Sequence, residues 1–190
     1  SRFHTPSGRC IQKPYAEDYE DDIYKRYLHG EFYAEDSVFI DKADSLTFKT
    51  ANGRTVYGGG GIIPDVFVPI DTTKATDFYI KCNRKATQMR FAQTMFDKYR
   101  GKLSDIDDFA QLDSYLDQID LGAQFIGYAE RVDGIKLKKG EWEESKPYMM
   151  PQINGLVGRY SKVGEEAFYR FYLPIDDTIK AALKNSSKVW

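Results

Sequence analysis

The 190-residue sequence has few of the residues on which many catalytic and binding sites depend, with only two histidines, two cysteines and two tryptophans. No HExxH segment and no paired Cys and His spacing occurs, so a structural or catalytic zinc site is not predicted. Cys10 and Cys82 are too few for a disulfide framework and do not form a CxxC pair. We therefore expect no metal and no cofactor.

The sequence also lacks an excess of one charge and any long apolar run. Its 27 basic and 29 acidic residues give a net charge of -2, without the basic excess that phosphate binding requires, so a nucleic-acid partner is not expected. No apolar run approaches the roughly 20 residues that cross a bilayer. The first residues, Ser1 to His4, lack the apolar core of a signal peptide, so we expect any targeting segment to lie upstream.

The first seventy residues are predicted to contain strands and one helix. Residues 2–12 predict an extended strand that is interrupted by Pro6 and Gly8. Residues 15–28 predict a helix with an acidic start and a basic end, and Gly30 is expected to stop it.

A β-hairpin is predicted where residues 46–50 and 55–57 flank the dipeptide Asn52-Gly53. Asn-Gly favours a two-residue turn in which both central residues have positive φ.

The remainder of the chain, beyond Pro69, is predicted to be helical because apolar residues recur at three and four positions. The stripes comprise Met89, Ala92, Phe96 and Tyr99; Phe109, Leu112, Leu116 and Ile119; and Phe125, Ile126, Ala129 and Val132. Cys82 is placed on the helical face of the first stripe together with Ala86, as a buried thiol. Further helices are predicted around 153–160, 168–172 and 179–183, the last capped by Asp176 or Asp177.

The predicted fold class is therefore α+β, with short strands and a hairpin in the N-terminal third and a mainly helical C-terminal part. We expect a domain boundary near Asp71, which separates residues 1–70 from residues 71–190.

Candidate catalytic residues are scarce. The sequence contains neither the G-x-S-x-G segment nor the Cys-containing signature that would accompany a catalytic His4 or His29. Ser7 is interpreted as a turn residue whose hydroxyl bonds nearby backbone, because no base follows it at an activating position. The paired acids Asp107 and Asp108 fit a helix cap better than a glycosidase pair.

Two segments, TPSGR at residues 5–9 and GGGGIIPD at residues 58–65, are the most informative part of the sequence. The glycine run is not a phosphate-binding loop, because Ile62, Ile63 and Pro64 follow it in place of Gly-Lys-Ser/Thr. Together the segments resemble the end of the catalytic domain of the carboxy-terminal processing proteases, especially the form of Bacteroidetes-type bacteria with a helix-and-hairpin insertion between the motifs. The motif residues assigned a structural role are Thr5, Pro6, Ser7, Gly8, Arg9, Gly61, Ile62, Pro64 and Asp65.

This resemblance implies a tail-specific serine endopeptidase with a Ser/Lys dyad, which cleaves proteins near unstructured C-termini in the bacterial cell envelope, in the periplasm. Residues 1–70 would complete the catalytic core, residues 71–190 would form a helical C-terminal domain, and a PDZ domain would lie upstream. In the family, an S-A-S-type serine segment and an F-G-K-G-type lysine segment precede both motifs. Neither segment is in this sequence, so the resemblance implies no catalytic residue in this chain and no activity of the chain alone.

A different hypothesis is a stand-alone interaction module that binds peptides or glycans through exposed tyrosines. It is suggested by 14 tyrosines and an aromatic content of 15%. Composition does not separate the two hypotheses.

Overall fold

The structure is a computed structural model that describes residues 2–12, 19–30, 32–33, 46–58, 62, 66–71 and 75–186. The chain divides into two compact units, an N-terminal unit of residues 1–70 and a helical unit of residues 71–190. The fold class is α+β, since a two-stranded hairpin lies in the N-terminal third and the C-terminal part is mostly helical.

The N-terminal unit begins with a tight reverse turn, and the extended strand predicted for residues 2–12 was wrong. His4 and Cys10 pair as an isolated antiparallel bridge, and the chain reverses between them. Gly8 has a φ of +83°, which glycine adopts at little steric cost. Pro6 and Gly8 do not interrupt a strand; they belong to the turn itself.

Helix α1 spans Tyr19–Leu28. It falls within the predicted helix of residues 15–28, of which residues 15–18 lie outside the described part. Gly30, with a φ of +79°, follows the helix end as predicted.

The predicted hairpin is present, with β1 at Thr47–Lys49 and β2 at Thr55–Tyr57. Its register pairs Phe48 with Val56. The turn differs from the two-residue turn that was predicted, because only Gly53 has a positive φ, +77°. The N–H of Gly53 donates to the Thr50 carbonyl at 2.9 Å, which is the pattern of a three-residue loop ending in a left-handed glycine.

The helical unit contains seven α-helices within the described residues. They are α2 (Asp77–Arg84), α3 (Thr87–Leu103), α4 (Phe109–Gln118), α5 (Leu121–Asp133), α6 (Glu141–Arg159), α7 (Glu165–Tyr172) and α8 (Asp177–Asn185). None of the helices in these described ranges is long and apolar enough to cross a membrane.

The first predicted stripe is interrupted between α2 and α3. Ala86 has a left-handed φ of +50° and precedes α3, so the phase of the helix changes there. As a result Cys82 is buried as predicted, whereas Met89 is 51% exposed and does not belong to the core. On the buried face of α3, Phe91 and Met95 take the place predicted for Met89.

The other helices follow the predicted stripes closely. Leu112 and Leu116 of α4 are buried, as are Phe125 and Ala129 of α5. Val132, in the last turn of α5, is 48% exposed, so its prediction as a stripe member was wrong.

Two predicted carboxylate caps are confirmed. The Asp108 carboxylate accepts from the Gln111 N–H at 3.0 Å, and the Asp176 carboxylate accepts from the Ile179 N–H at 3.0 Å. Each satisfies an N-terminal backbone donor that its helix leaves unpaired.

The core of the helical unit is built around aromatic contacts. Phe125 packs edge to face with Phe78 and with Phe91, at ring-centroid distances of 6.1 and 5.2 Å. Met149, Ile153 and other residues of α6 complete this core.

Helix α6 is longer than the sequence pattern predicted and contains Pro147 and Pro151 in its interior. Each proline lacks an N–H donor for the preceding turn. The carbonyl groups of Glu143 and Pro147 therefore lose their usual partners within the helix, and burial of α6 against α3 and α7 maintains it.

Candidate functional site

The TPSGR segment forms a compact hydrogen-bonded turn. The Gly8 N–H donates to the Thr5 carbonyl at 2.8 Å, and the Thr5 N–H donates to the Arg9 carbonyl at 2.9 Å. The side chain of Ser7 is hydrogen-bonded to that of Thr5, with 2.8 Å between the two hydroxyl oxygens. Ser7 is thus a turn residue, as predicted, although its partner is a side-chain hydroxyl and not the backbone.

The hairpin turn at residues 50–54 repeats this arrangement, a repeat that the sequence analysis missed. Thr50, Gly53 and Arg54 take the places of Thr5, Gly8 and Arg9, and the Thr50 N–H donates to the Arg54 carbonyl at 2.9 Å. The shared pattern T-x-x-G-R is visible in the sequence. It could have identified both turns, because glycine is favoured where the fourth residue needs positive φ.

The first motif contacts the strand that leads into the second. A guanidinium nitrogen of Arg9, Nη1, donates to the Tyr57 carbonyl at 3.5 Å. Gly58, the first glycine of the second motif, is buried. A Cβ at Gly58 would lie 2.8 Å from the Phe48 ring and 3.6 Å from the Arg9 side chain. Close approach of the backbone to Phe48 therefore requires glycine at this position.

Most of the second motif lies outside the described residues, including Gly61, Pro64 and Asp65. The opposite charges of Arg9 and Asp65 predict that these two side chains lie close together, and this prediction also falls outside the described residues. Ile62 is described and is 68% exposed. Within the described residues, the Nε atom of Arg9 is buried and has no hydrogen-bond partner.

Of the histidines and cysteines, His4 and Cys10 are the paired residues of the bridge in the N-terminal unit, and Cys82 belongs to α2 in the helical unit. His4 is exposed, and His29 follows the end of α1. Both cysteines are free, as predicted. Burial, and secondarily the nearby Asp133 carboxylate, raises the pKa of the Cys82 thiol to about 12, so this thiol stays protonated and is a poor nucleophile at neutral pH. The described residues contain no group of three or more His, Cys, Asp or Glu side chains arranged to hold a metal ion.

A polar network that the sequence analysis missed joins the α2–α3 junction to the end of α5. The Asp133 carboxylate, only 6% exposed, accepts from Arg90 Nη2 at 2.7 Å and from the Thr87 hydroxyl at 2.6 Å. Lys85 Nζ donates to the Asp133 carbonyl at 2.9 Å. The hydrogen bond from Arg90, followed by that from Thr87, lowers the pKa of Asp133. This network holds three helix ends together.

An open groove of about 510 Å³ lies beside α4 in the helical unit. Among the side chains that line it are Lys102, Ile106, Gln111, Ser114, Tyr115 and Gln118, and we call it the α4 groove. Gln111, Ser114, Tyr115 and Gln118 of α4 lie at the i, i+3, i+4 and i+7 positions of one helix face. Sequence periodicity did not identify them, because it finds the apolar face of a helix.

Exposed tyrosines occur in both units. Tyr24 and Tyr27 belong to α1 in the N-terminal unit, and Tyr160 and Tyr169 belong to the helical unit. Tyr128 is buried in the core.

Comparison with known proteins finds one similarity. Residues 78–161, less than half of the chain, match a family of unknown function (DUF8443). This range extends from α2 to just beyond α6 and includes every buried hydrophobic core residue of the described chain except Ala167. No curated protein and no solved structure matches the chain.

Proposed function

We propose that this chain is the C-terminal portion of a carboxy-terminal processing serine endopeptidase. In this proposal the N-terminal unit completes the catalytic domain, and the helical unit follows it. The observation that carries the proposal is that the N-terminal unit has no buried hydrophobic core of its own within the described residues.

The two units differ strongly in the burial of their hydrophobic side chains. All of the buried hydrophobic residues in the described chain lie between Phe78 and Ala167. The N-terminal unit exposes many large hydrophobic side chains, namely Phe3, Tyr24, Tyr27, Leu28, Leu46, Ile62, Val66 and Ile70. Strands and amphipathic helices are stable when their apolar faces are buried against another layer. A unit with this surface is expected to pack against further protein, which a catalytic core would supply.

Contact between the two motif segments also supports the proposal. Arg9 binds the carbonyl of Tyr57, and Gly58 follows immediately as the start of the second motif. Phe48 lies near both Gly8 and Gly58. The TPSGR turn therefore lies beside Gly58, the first residue of the second segment, although roughly fifty residues separate the two in the sequence.

The chemistry of the proposed enzyme would come from residues outside this chain. A lysine held neutral by its surroundings would accept the proton of the nucleophilic serine, so the reaction would need no histidine. The residues of this chain would support the core by fixing the turn at Arg9 and the close approach at Gly58. We propose an unstructured protein C-terminus as substrate, a PDZ domain ahead of the core and a periplasmic location in the bacterial envelope.

The test is to determine the reading frame upstream of Ser1 and to express the protein that it encodes. We expect S-A-S-type and F-G-K-G-type segments and cleavage of a protein with an unstructured C-terminal tail. Replacing the serine or the lysine of those segments with alanine should abolish cleavage. Arg9→Ala should reduce the activity, whereas Arg131→Ala, at an exposed position of α5, should leave it unchanged. A reading frame without both segments, or cleavage that survives both dyad substitutions, would refute the proposal.

A further inference from the structure

We propose that Asn52 is a site of spontaneous deamidation, in which the backbone nitrogen of Gly53 displaces the side-chain amide as ammonia. The proposal concerns the hairpin turn alone and does not depend on the proposed protease function. The sequence contains four asparagines, and glycine follows only Asn52 and Asn154. The structure places these two Asn-Gly pairs in opposite surroundings, and this difference selects Asn52 as the reactive one.

The reaction joins the Gly53 nitrogen to the side chain of Asn52. A solvent base removes the proton of the Gly53 N–H, and the nitrogen then attacks Cγ of Asn52. The new C–N bond closes a cyclic imide, the bond between Cγ and Nδ2 breaks, and the amide leaves as ammonia with protons from water. Water then adds to one imide carbonyl and breaks its bond to the Gly53 nitrogen, which gives aspartate or isoaspartate. The net change consumes one water, releases one ammonia and oxidises nothing.

The turn leaves the reacting groups open to solvent. Residues 51–54 are all exposed, and a Cβ at Gly53 would meet nothing within 4 Å. Within the described part of the chain, the Asn52 carboxamide has no hydrogen-bond partner. Because glycine has no side chain, nothing beside the attacking nitrogen hinders its approach to Cγ. Water and base therefore have access to both reacting groups.

A hydrogen bond restrains the attacking nitrogen. The Gly53 N–H donates to the Thr50 carbonyl at 2.9 Å, and this bond must open before the attack. The strands on either side have three residues each and form a two-stranded sheet. Such a hairpin is marginally stable, and exposed loop tips open at little cost in free energy. We therefore expect the turn to slow deamidation of Asn52 by less than roughly tenfold relative to the unfolded chain.

The core protects the second pair, Asn154-Gly155. Both residues lie inside α6, and Asn154 is only 9% exposed. A Cβ at Gly155 would lie 3.2 Å from the carbonyl oxygen of Phe168 in α7, so α7 covers this part of the backbone. Within a helix the N–H also pairs with the carbonyl four residues earlier. Attack here requires unfolding of the core, so deamidation should be at least roughly a thousandfold slower than in the unfolded chain.

Deamidation would change the hairpin turn in two ways. Both products carry a carboxylate in place of the neutral amide of Asn52. Isoaspartate also routes the backbone through the side chain, which adds a methylene to the loop. The Gly53 N–H would then no longer meet the Thr50 carbonyl in the present register, because loop length fixes the register of a hairpin.

The experiment incubates the full chain, folded and in guanidinium chloride, at mildly alkaline pH and follows two tryptic peptides by mass spectrometry. The peptide of residues 50–54 reports on Asn52, and the peptide of residues 140–159 reports on Asn154. Samples taken at the start correct for deamidation during digestion. In guanidinium chloride both pairs should react at similar rates. In the folded chain Asn52 should react within roughly tenfold of that rate, while Asn154 should show no conversion over the same time.

Variants assign the modification to the turn. Asn52→Gln should abolish the acidic species that ion-exchange chromatography separates from the folded chain, because the longer side chain closes an imide ring far more slowly. Asn185→Gln, at the end of α8, should leave the rate of its formation unchanged, and circular dichroism checks that both variants fold. The proposal is overturned if Asn52 reacts no faster than Asn154 in the folded chain. Acidic species that form at the original rate in Asn52→Gln would also overturn it.

Discussion

Gly158 of α6 packs directly on Ala167 of α7, and a Cβ at Gly158 would lie 2.8 Å from the Cβ of Ala167 and 2.9 Å from Leu112 Cδ2. All three residues are buried. Gly158→Ala should therefore destabilise the helical unit by roughly 1–3 kcal/mol, because the core must shift to accept the methyl group. Thermal unfolding followed by circular dichroism measures this change.

Gly127→Ala is the matched control for that substitution. Gly127 also lies inside a helix, but a Cβ there would meet nothing within 4 Å. Alanine has the higher helix propensity, so this variant should be more stable by up to about 1 kcal/mol. Equal unfolding temperatures for the two variants would show that α6 and α7 do not pack as closely as we describe.

Asp133→Asn should destabilise the helical unit at neutral pH. The carboxylate accepts hydrogen bonds from Arg90 and Thr87, and the uncharged amide would leave the guanidinium with a weaker partner. We expect a loss of roughly 1–3 kcal/mol. Asp97→Asn removes an exposed ion pair with Arg100 and should have little effect in the same urea titration.

The stabilisation that Asp133 provides should also depend on pH. The folded-state pKa of Asp133 is lowered, chiefly by Arg90, so its contribution to stability is fully present above its unfolded pKa of ~3.9. That contribution is lost as the pH falls through the lower folded pKa. The stability difference between the original protein and Asp133→Asn should therefore narrow below about pH 4. A difference that stays constant down to pH 2 would contradict the assigned network.

Cys82 should react with a thiol reagent only when the protein unfolds. Its side chain is fully buried, and burial raises its pKa to about 12, whereas Cys10 is half-buried. We expect fast labelling of one thiol under native, non-reducing conditions and of two in denaturant. Cys10→Ser should abolish the fast phase. Fast labelling that persists in this variant would place Cys82 at the surface.

Local signals predicted much of the fold. The caps at Asp108 and Asp176 and the helix stop at Gly30 were identified because each depends on a few adjacent residues. The apolar stripe predicted for α4 was also correct. In contrast, the exposure of Met89 follows from the left-handed conformation of Ala86, which no local propensity favours, since alanine rarely adopts positive φ.

The polar sites were harder to predict than the core. Asp133 and Arg90 lie more than forty residues apart in the sequence, and their pairing depends on how α3 and α5 pack. The α4 groove consists of polar residues on the exposed side of a helix, where hydrophobic periodicity gives no signal. Such sites are created by tertiary packing, so residue spacing alone does not identify them.

The last prediction is that the isolated chain does not cleave peptides. A serine nucleophile requires a base within hydrogen-bond reach, and the hydroxyl of Ser7 is bonded to that of Thr5. The chain and its Ser7→Ala variant should both leave a fluorogenic peptide with an unstructured C-terminus intact at neutral pH. The control is a longer protein that contains the upstream segments, assayed with the same peptide. Cleavage by the isolated chain that disappears in Ser7→Ala would identify Ser7 as a nucleophile and would contradict the assignment of the dyad to residues outside this chain.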